Sequence, residues 1–145
     1  MSKRILLSAA FVLFTMSCSS EISTEERLKE LCAKLDIDYS QYDYFVFINV
    51  DACPSCSDSV RDFLFINKDN SKLTVILSSV SQKKVGFIIE NYDGLPRIIV
   101  DKEQLGLKEY FLLDISPKFY AKSKGPLLEQ ELSLSELEKY WIQED

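Results

Sequence analysis

Apolar residues recur along this chain in two rhythms. Tyr44-Phe45-Val46-Phe47-Ile48-Asn49-Val50 and Leu73-Thr74-Val75-Ile76-Leu77 are short, continuous runs rich in aromatic and β-branched side chains. Such runs predict strands buried on both faces, as the central strands of a parallel sheet are. Pro96-Arg97-Ile98-Ile99-Val100 predicts a third, shorter strand. The second rhythm is helical. Leu28, Leu31, Cys32 and Leu35 fall at i, i+3, i+4 and i+7 behind Ser23-Thr24-Glu25-Glu26, which has the form of a capping box. Val60, Phe63, Leu64 and Ile66 fall at helical spacing too, and Val85, Ile88, Ile89 and Tyr92 repeat the i, i+3, i+4, i+7 pattern behind a capping Ser81. Asp93-Gly94 is expected to stop that helix, since glycine accepts the left-handed conformation of many helix ends. Tyr110 to Ile115, a turn at Ser116-Pro117, and Phe119-Tyr120-Ala121 predict an antiparallel hairpin. A second capping box, Ser133 to Glu136, opens a last helix with Leu134, Leu137 and Trp141 on one face. The order is helix, βαβαβ, hairpin, helix, which predicts one α/β domain with a central mixed sheet flanked by helices.

The first eighteen residues follow neither rhythm. Lys3 and Arg4 precede a stretch that is apolar from Ile5 to Phe14 except for Ser8, and small or polar residues follow. That is the three-part pattern of a secretory signal, and it is too short to cross a bilayer comfortably as a helix, which takes roughly 20 apolar residues. Thr15-Met16-Ser17-Cys18 resembles a bacterial lipoprotein signal, in which the cysteine becomes the lipidated first residue. Thr15 stands where that signal usually has Leu, and plain secretion with Cys18 lost or free is the alternative. The expected organisation is a signal peptide over 1–17, a tether over 18–22 and a folded domain over 23–145. Ser19 after Cys18 resembles outer-membrane sorting, so the domain is expected to be lipid-anchored and to face the periplasm or the cell surface.

Composition narrows the chemistry. The 145 residues hold 17 basic and 23 acidic side chains, a net charge of −6, and removal of Lys3 and Arg4 with the signal takes it to −8. An acidic domain with no basic cluster is a poor match to phosphates, so no nucleic-acid partner is expected. There are 4 cysteines and no histidine, which excludes Ser-His-Asp and Cys-His nucleophiles and histidine-containing metal sites. The reactive side chains left are thiols. In an exported chain they meet an oxidising compartment. Cys32 lies on an apolar helix stripe and reads as a buried, inert thiol.

Cys53-Pro54-Ser55-Cys56 falls between a buried strand and the first turn of a helix. Pro54 suits that turn, where its missing N–H has no intrahelical partner. The unpaired N–H groups and the dipole there favour negative charge, which lowers the pKa of Cys53, and the thiolate is the attacking species in disulfide exchange. Cys56, one helical turn along, is within reach to resolve a mixed disulfide formed at Cys53. Three other readings of the pair are a zinc site, a purely structural disulfide and a degenerate site. Zinc is disfavoured because only Cys32 and carboxylates remain to complete four ligands. Peroxide reduction fits poorly too, because Ser57 and Arg61 do not reproduce a Thr-x-x-Cys-plus-arginine arrangement. No metal or organic cofactor is expected.

From about Ser40 to Asp145, the run strand, Cys53-Pro54-Ser55-Cys56, helix, strand, helix, strand, hairpin, helix resembles the thioredoxin fold, here with an extra N-terminal helix. The lipoprotein signal points to its exported, TlpA/ResA-like branch. Asn91 to Pro96 through Asp101 is similar to that branch's segment before its extra strand. Phe111-Leu112-Leu113-Asp114 is similar to a strand ending in Asp, and Gly125 matches the glycine before the final helix. The resemblance implies a thiol-disulfide oxidoreductase acting as a monomer on protein thiols and disulfides, with Cys53 as nucleophile and Cys56 as resolving thiol. The family usually has Trp before the first cysteine, where this chain has Ala52. Its cis-proline, which faces the dithiol, has two alignments. One puts Lys108 or Glu109 in the proline's place, and this is slightly favoured. The other makes Pro96 the cis-proline. The buried acid that helps deprotonate the second cysteine of the family has no counterpart, and Asp51 and Asp58 read as solvated turn residues. A non-catalytic thioredoxin-like lipoprotein, with a binding or scaffold role, is the alternative function.

Overall fold

Ser23 starts the first helix as its sequence predicts. The structure, a computed structural model, describes residues 22–52 and 56–143. Ser23 Oγ accepts the N–H of Glu26, and the Glu26 carboxylate accepts the N–H of Ser23 at 3.0 Å, so two groups at the open end of α1 (Thr24–Lys34) satisfy each other. Leu28, Leu31 and Cys32 form its buried stripe. The expected signal segment, Cys18 and all of the expected tether but Ile22 lie outside the described residues, and Ile22 is exposed.

Five strands make one mixed sheet: β1 (Tyr44–Asn49), β2 (Leu73–Ser78), β3 (Arg97–Asp101), β4 (Lys118–Ala121) and β5 (Leu128–Glu131). They lie in the order β3-β2-β1-β4-β5, with β1, β2 and β3 parallel, and with β4 antiparallel to both β1 and β5. The helix α2 (Ser57–Ile66) connects β1 to β2, and α3 (Gln82–Ile89) connects β2 to β3. Crossovers of this kind are right-handed almost without exception, so two that step in the same direction place both helices on one face of the sheet. There Val60, Phe63, Leu64, Val85 and Ile88 pack on Val46, Ile48, Leu73, Val75 and Leu77. The opposite residues of the same strands, Phe45, Phe47 and Ile76, meet Leu28, Leu31 and Cys32 of α1 together with Leu112, Leu113 and Tyr120. Period-two alternation thus feeds two cores, which is why β1 and β2 read as unbroken apolar runs.

The expected hairpin does not form. Phe119, Tyr120 and Ala121 belong to β4, whose partners are β1 and β5, while residues 110–115 are irregular. Phe111 has a φ of 51°, and the N–H of Leu112 turns back to Gly106 O at 2.8 Å, on the short helix α4 (Leu105–Lys108). Leu112 and Leu113 are buried side by side, a pattern no strand can produce with one face covered, and Tyr120 Oη donates to Leu112 O at 2.8 Å. The segment is a plug over the α1 face of the sheet. The strand that does pair with β4 is Leu128-Glu129-Gln130-Glu131, exposed at every position and without an apolar pattern. Its turn contains Gly125, which therefore precedes β5 and not the last helix.

Two helix ends also differ from expectation. α3 stops at Ile89, and the left-handed residue after it is Asn91 (φ 60°), not Gly94. Asparagine tolerates that region through local hydrogen bonding of its short polar side chain. The last helix, α5 (Leu134–Leu137), has its expected capping box at Ser133 and Glu136 but only four residues. Leu137 is buried, whereas Trp141 lies beyond the helix and is 59% exposed.

Candidate functional site

The end of β1 is firmly held. Phe45 to Ile48 are fully buried, Val50 continues into the core, and Val50–Ala52 form a single 3-10 turn. Asn49 Oδ1 accepts the N–H of Ala52 at 3.2 Å and closes that turn. Ala52, standing where a tryptophan was expected from the resemblance, is exposed. Cys53, Pro54 and Ser55 follow and lie outside the described residues.

Cys56 is the residue from which α2 starts. Its backbone is already helical (φ −84°, ψ −1°), its carbonyl accepts the N–H of Val60 at 3.0 Å, and its side chain makes no capping hydrogen bond. It is 4% exposed and disulfide-bonded, with a partner sulfur outside the described residues. The remaining described cysteine, Cys32, is a free thiol in the α1-side core. Burial pushes it up to about 12, partly offset by the nearby Lys122 ammonium, so at neutral pH it is neither a nucleophile nor a metal ligand.

The sheet register decides which proline sits near Cys56. Pro96 does not. It precedes Arg97, which pairs with Thr74, and Phe45 is the β1 partner of Thr74. The three strands run parallel, so Pro96 lies at the end of the sheet where β1 begins, opposite to the end where β1 leads into the cysteines. Its peptide bond is trans, like every other among the described residues, so the candidate cis-proline at Pro96 is corrected on both counts. The alignment that placed Lys108 or Glu109 at the proline position fails as well, because the strand it required at 111–115 is absent and both residues belong to the end of α4. The residue that the topology does bring to this end is Pro117. β4 is antiparallel to β1 with Lys118 opposite Phe47, so continuing the register sets Pro117 level with Ile48 and Ser116 level with Asn49. In the sequence Pro117 reads as the corner of a hairpin. Only the pairing of β4 directly with β1 reveals its place.

Asp51 is the other residue whose role sequence reasoning missed. Rather than being solvated, its carboxylate accepts hydrogen bonds from Ser79 Oγ and from the N–H of Val80, both at 2.8 Å. Gln104 Nε2 donates to it at 3.3 Å, and Lys84 Nζ is 3.9 Å away. Asp58, in the first turn of α2, is exposed as expected. Two exposed apolar side chains rim this end of the sheet, Val80 beyond β2 and Ile115 just before Ser116-Pro117.

Among the described residues no group of three or more carboxylates and cysteines could hold a metal ion, and no helix is long and apolar enough to cross a membrane. What this end of the sheet offers is a cysteine at a helix start, at the mouth of a central parallel strand, with a proline on the neighbouring strand. Open α/β sheets put their binding crevices outside the carboxyl ends of such strands. No family model, no curated protein and no solved structure matches the chain.

Proposed function

We propose that the protein is a thiol-disulfide oxidoreductase of thioredoxin-like fold, working outside the cytoplasm and tethered by a lipid on Cys18. The observation that carries the reading is the position of Cys56. A cysteine in a disulfide, buried at the start of α2 and reached directly from the central strand β1, is where a resolving thiol has to be. Its partner in this reading is Cys53, three residues earlier and nearer the end of β1. The five-stranded mixed sheet with helices on both faces is compatible with that fold.

The chemistry needs only the two sulfurs. The Cys53 thiolate attacks one sulfur of a partner disulfide. A bond forms between Cys53 Sγ and that sulfur, the partner's S–S bond breaks, and the departing partner thiolate takes a proton from water. Cys56 then gives up its proton and attacks Cys53 Sγ, so the mixed disulfide breaks and the second partner thiolate leaves. The partner gains two electrons and the dithiol loses two, and the reverse sequence oxidises a partner. Burial of Cys56 confines the first attack to Cys53, and the positive end of α2 favours the thiolate form.

A second reading keeps the fold and removes the activity: a binding or scaffold lipoprotein whose disulfide staples the start of α2. The exposed Ala52 in the tryptophan position favours it. A trapping experiment separates the two readings. In a Cys56→Ser variant the first step proceeds and the second cannot, so Cys53 accumulates in mixed disulfides with its partner proteins. These should run as thiol-sensitive high-mass bands that disappear in a Cys53→Ser/Cys56→Ser double variant. Absence of such bands, together with no exchange by the purified protein on a model disulfide, supports the scaffold.

A further inference from the structure

Between α2 and the segment that leaves α3 lies a groove of about 500 Å³, within the size range of clefts that take up ligands. It runs from Asp58 in the first turn of α2 to Lys68 just past its end, about 15 Å at helical rise. Buried Leu64 and Ile88 form its floor, and Phe65, 70% exposed, stands on its rim. The opposite wall is preformed. The N–H of Leu95 donates to Lys68 O at 2.6 Å and ties the segment after α3 to the end of α2. Tyr92 in that wall packs on Gly94, where a side-chain carbon would come within 2.4 Å of Tyr92 Oη, so the ring takes this place because residue 94 is glycine.

The charge of the groove is unbalanced. Asp58, Asp62, Glu90 and Asp93 line it, and among the described residues none of these carboxylates makes a salt bridge or a hydrogen bond. The two cations beside them are turned to aromatic rings instead, Arg61 over Phe87 at 4.9 Å and Lys68 over Phe65 at 5.3 Å. Four carboxylates against two cations leave a net charge of −2 above an apolar floor. A second observation is independent of charge. Tyr92 Oη is shut off from solvent and has no hydrogen-bond partner among the described residues. Burial, and after it the Asp93 carboxylate, push Tyr92 up to about 12, so it keeps its proton and remains a donor. A buried donor left unpaired is costly, and a carbonyl brought into the groove would accept from it.

We infer that this groove docks a basic segment of a partner protein. Lysine or arginine side chains of the segment face the four carboxylates, an apolar side chain lies against Leu64, Phe65 and Ile88, and a backbone carbonyl accepts from Tyr92. A peptide meets all three demands of the groove, whereas a small amine meets only the first. Neither Cys32 nor Cys56 lines it, so the inference goes beyond the proposed exchange activity and does not depend on it.

The probe is a dye-labelled peptide amide, Arg-Leu-Arg-Leu-Arg, titrated with the full-length chain and followed by fluorescence anisotropy. The wild-type chain should bind it and should not bind Glu-Leu-Glu-Leu-Glu. Asp62→Asn/Asp93→Asn should weaken binding about fivefold, and Phe65→Ser about tenfold. All three positions are exposed, so the variants keep the fold, which a thermal melt checks. Glu30→Gln/Glu103→Gln removes the same charge from exposed positions on α1 and in the turn after β3, and should change the affinity less than about twofold. An equal loss in that control variant would mean that the peptide senses only the acidity of the whole chain, and it overturns the inference. Failure of the basic peptide to bind, or unchanged affinity in either groove variant, overturns it too. Argininamide binding as tightly as the peptide would assign the groove to a small cation and overturn the docking of a protein segment.

Discussion

Replacing Cys53 with serine should lower disulfide exchange by about a thousandfold or more while the fold persists, because exchange proceeds through a thiolate and serine offers none. Neither of the cysteines among the described residues can take over. Cys32 is 1% exposed and held as a neutral thiol with a pKa near 12, and Cys56 is 4% exposed behind the start of α2. In the proposed pairing the variant also loses a four-residue disulfide loop, which contributes only about 2 kcal/mol to stability because so short a loop constrains the unfolded chain little. The check is the rate at which the chain catalyses reduction of a protein disulfide by dithiothreitol, with a thermal melt to show that the variant is folded. Activity retained within a few-fold would mean that the working thiol is elsewhere.

The second large effect concerns stability and sits at the far end of α2. Asn67, 1% exposed, follows the helix and holds the C-terminal segment to it. Its Nδ2 donates to Phe63 O and to Tyr140 O, both at 2.9 Å, and its Oδ1 accepts the N–H of Ile142 at 2.8 Å. Asn70 adds a donor to Ile142 O at 3.1 Å. Asn67→Ala leaves the Ile142 N–H and the Tyr140 carbonyl without partners beneath buried Ile142, and a buried polar group left unpaired costs about 1–3 kcal/mol. The expected loss is about 2–4 kcal/mol, read as a lower urea midpoint at unchanged slope. Exchange activity below the new midpoint should be unaffected, since α2 separates Asn67 from the dithiol by its whole length. An unchanged midpoint would show that the last turn and tail are not held by this residue.

The parts of the molecule legible in the sequence are those where local preference and burial agree. β1 and β2 are continuous apolar runs because both their faces are covered, and Ser23, Ser81 and Ser133 cap helices where their spacing predicts. The misreadings come from segments whose structure is decided at long range. Residues 110–115 are as apolar as a strand, yet Phe111 takes a positive φ and the segment folds back on Gly106 to plug a core built by α1. β5 has no strand signal at all. It exists because β4 presents an edge, and Lys118 lies 3.6 Å from Glu129 and 3.2 Å from Glu131 across the pair. The candidate site divides in the same way. The cysteine spacing and its place between strand and helix are visible locally, whereas the neighbouring proline follows from a register no single segment reveals. Of the two alignments for the family's proline, the parallel pairing of β2 with β3 removes the one at Pro96 to the opposite end of the sheet. Asp51 was misread for a related reason. An acid in a turn is usually solvated, and only the return of Ser79, Val80 and Gln104 to the same corner gives it partners.

The central claim, that Cys53 and Cys56 form a working exchange site, is tested most directly by the reduction potential of the full-length chain in defined glutathione or dithiothreitol buffers. A disulfide that cycles must exchange with cellular thiols, and working dithiols have potentials between about −270 and −120 mV. The account predicts a value in that range, with Cys53 and Cys56 interconverting together between the dithiol and disulfide forms. A potential below about −300 mV, the range of structural disulfides, would contradict it and leave the cysteine pair as a staple at the start of α2.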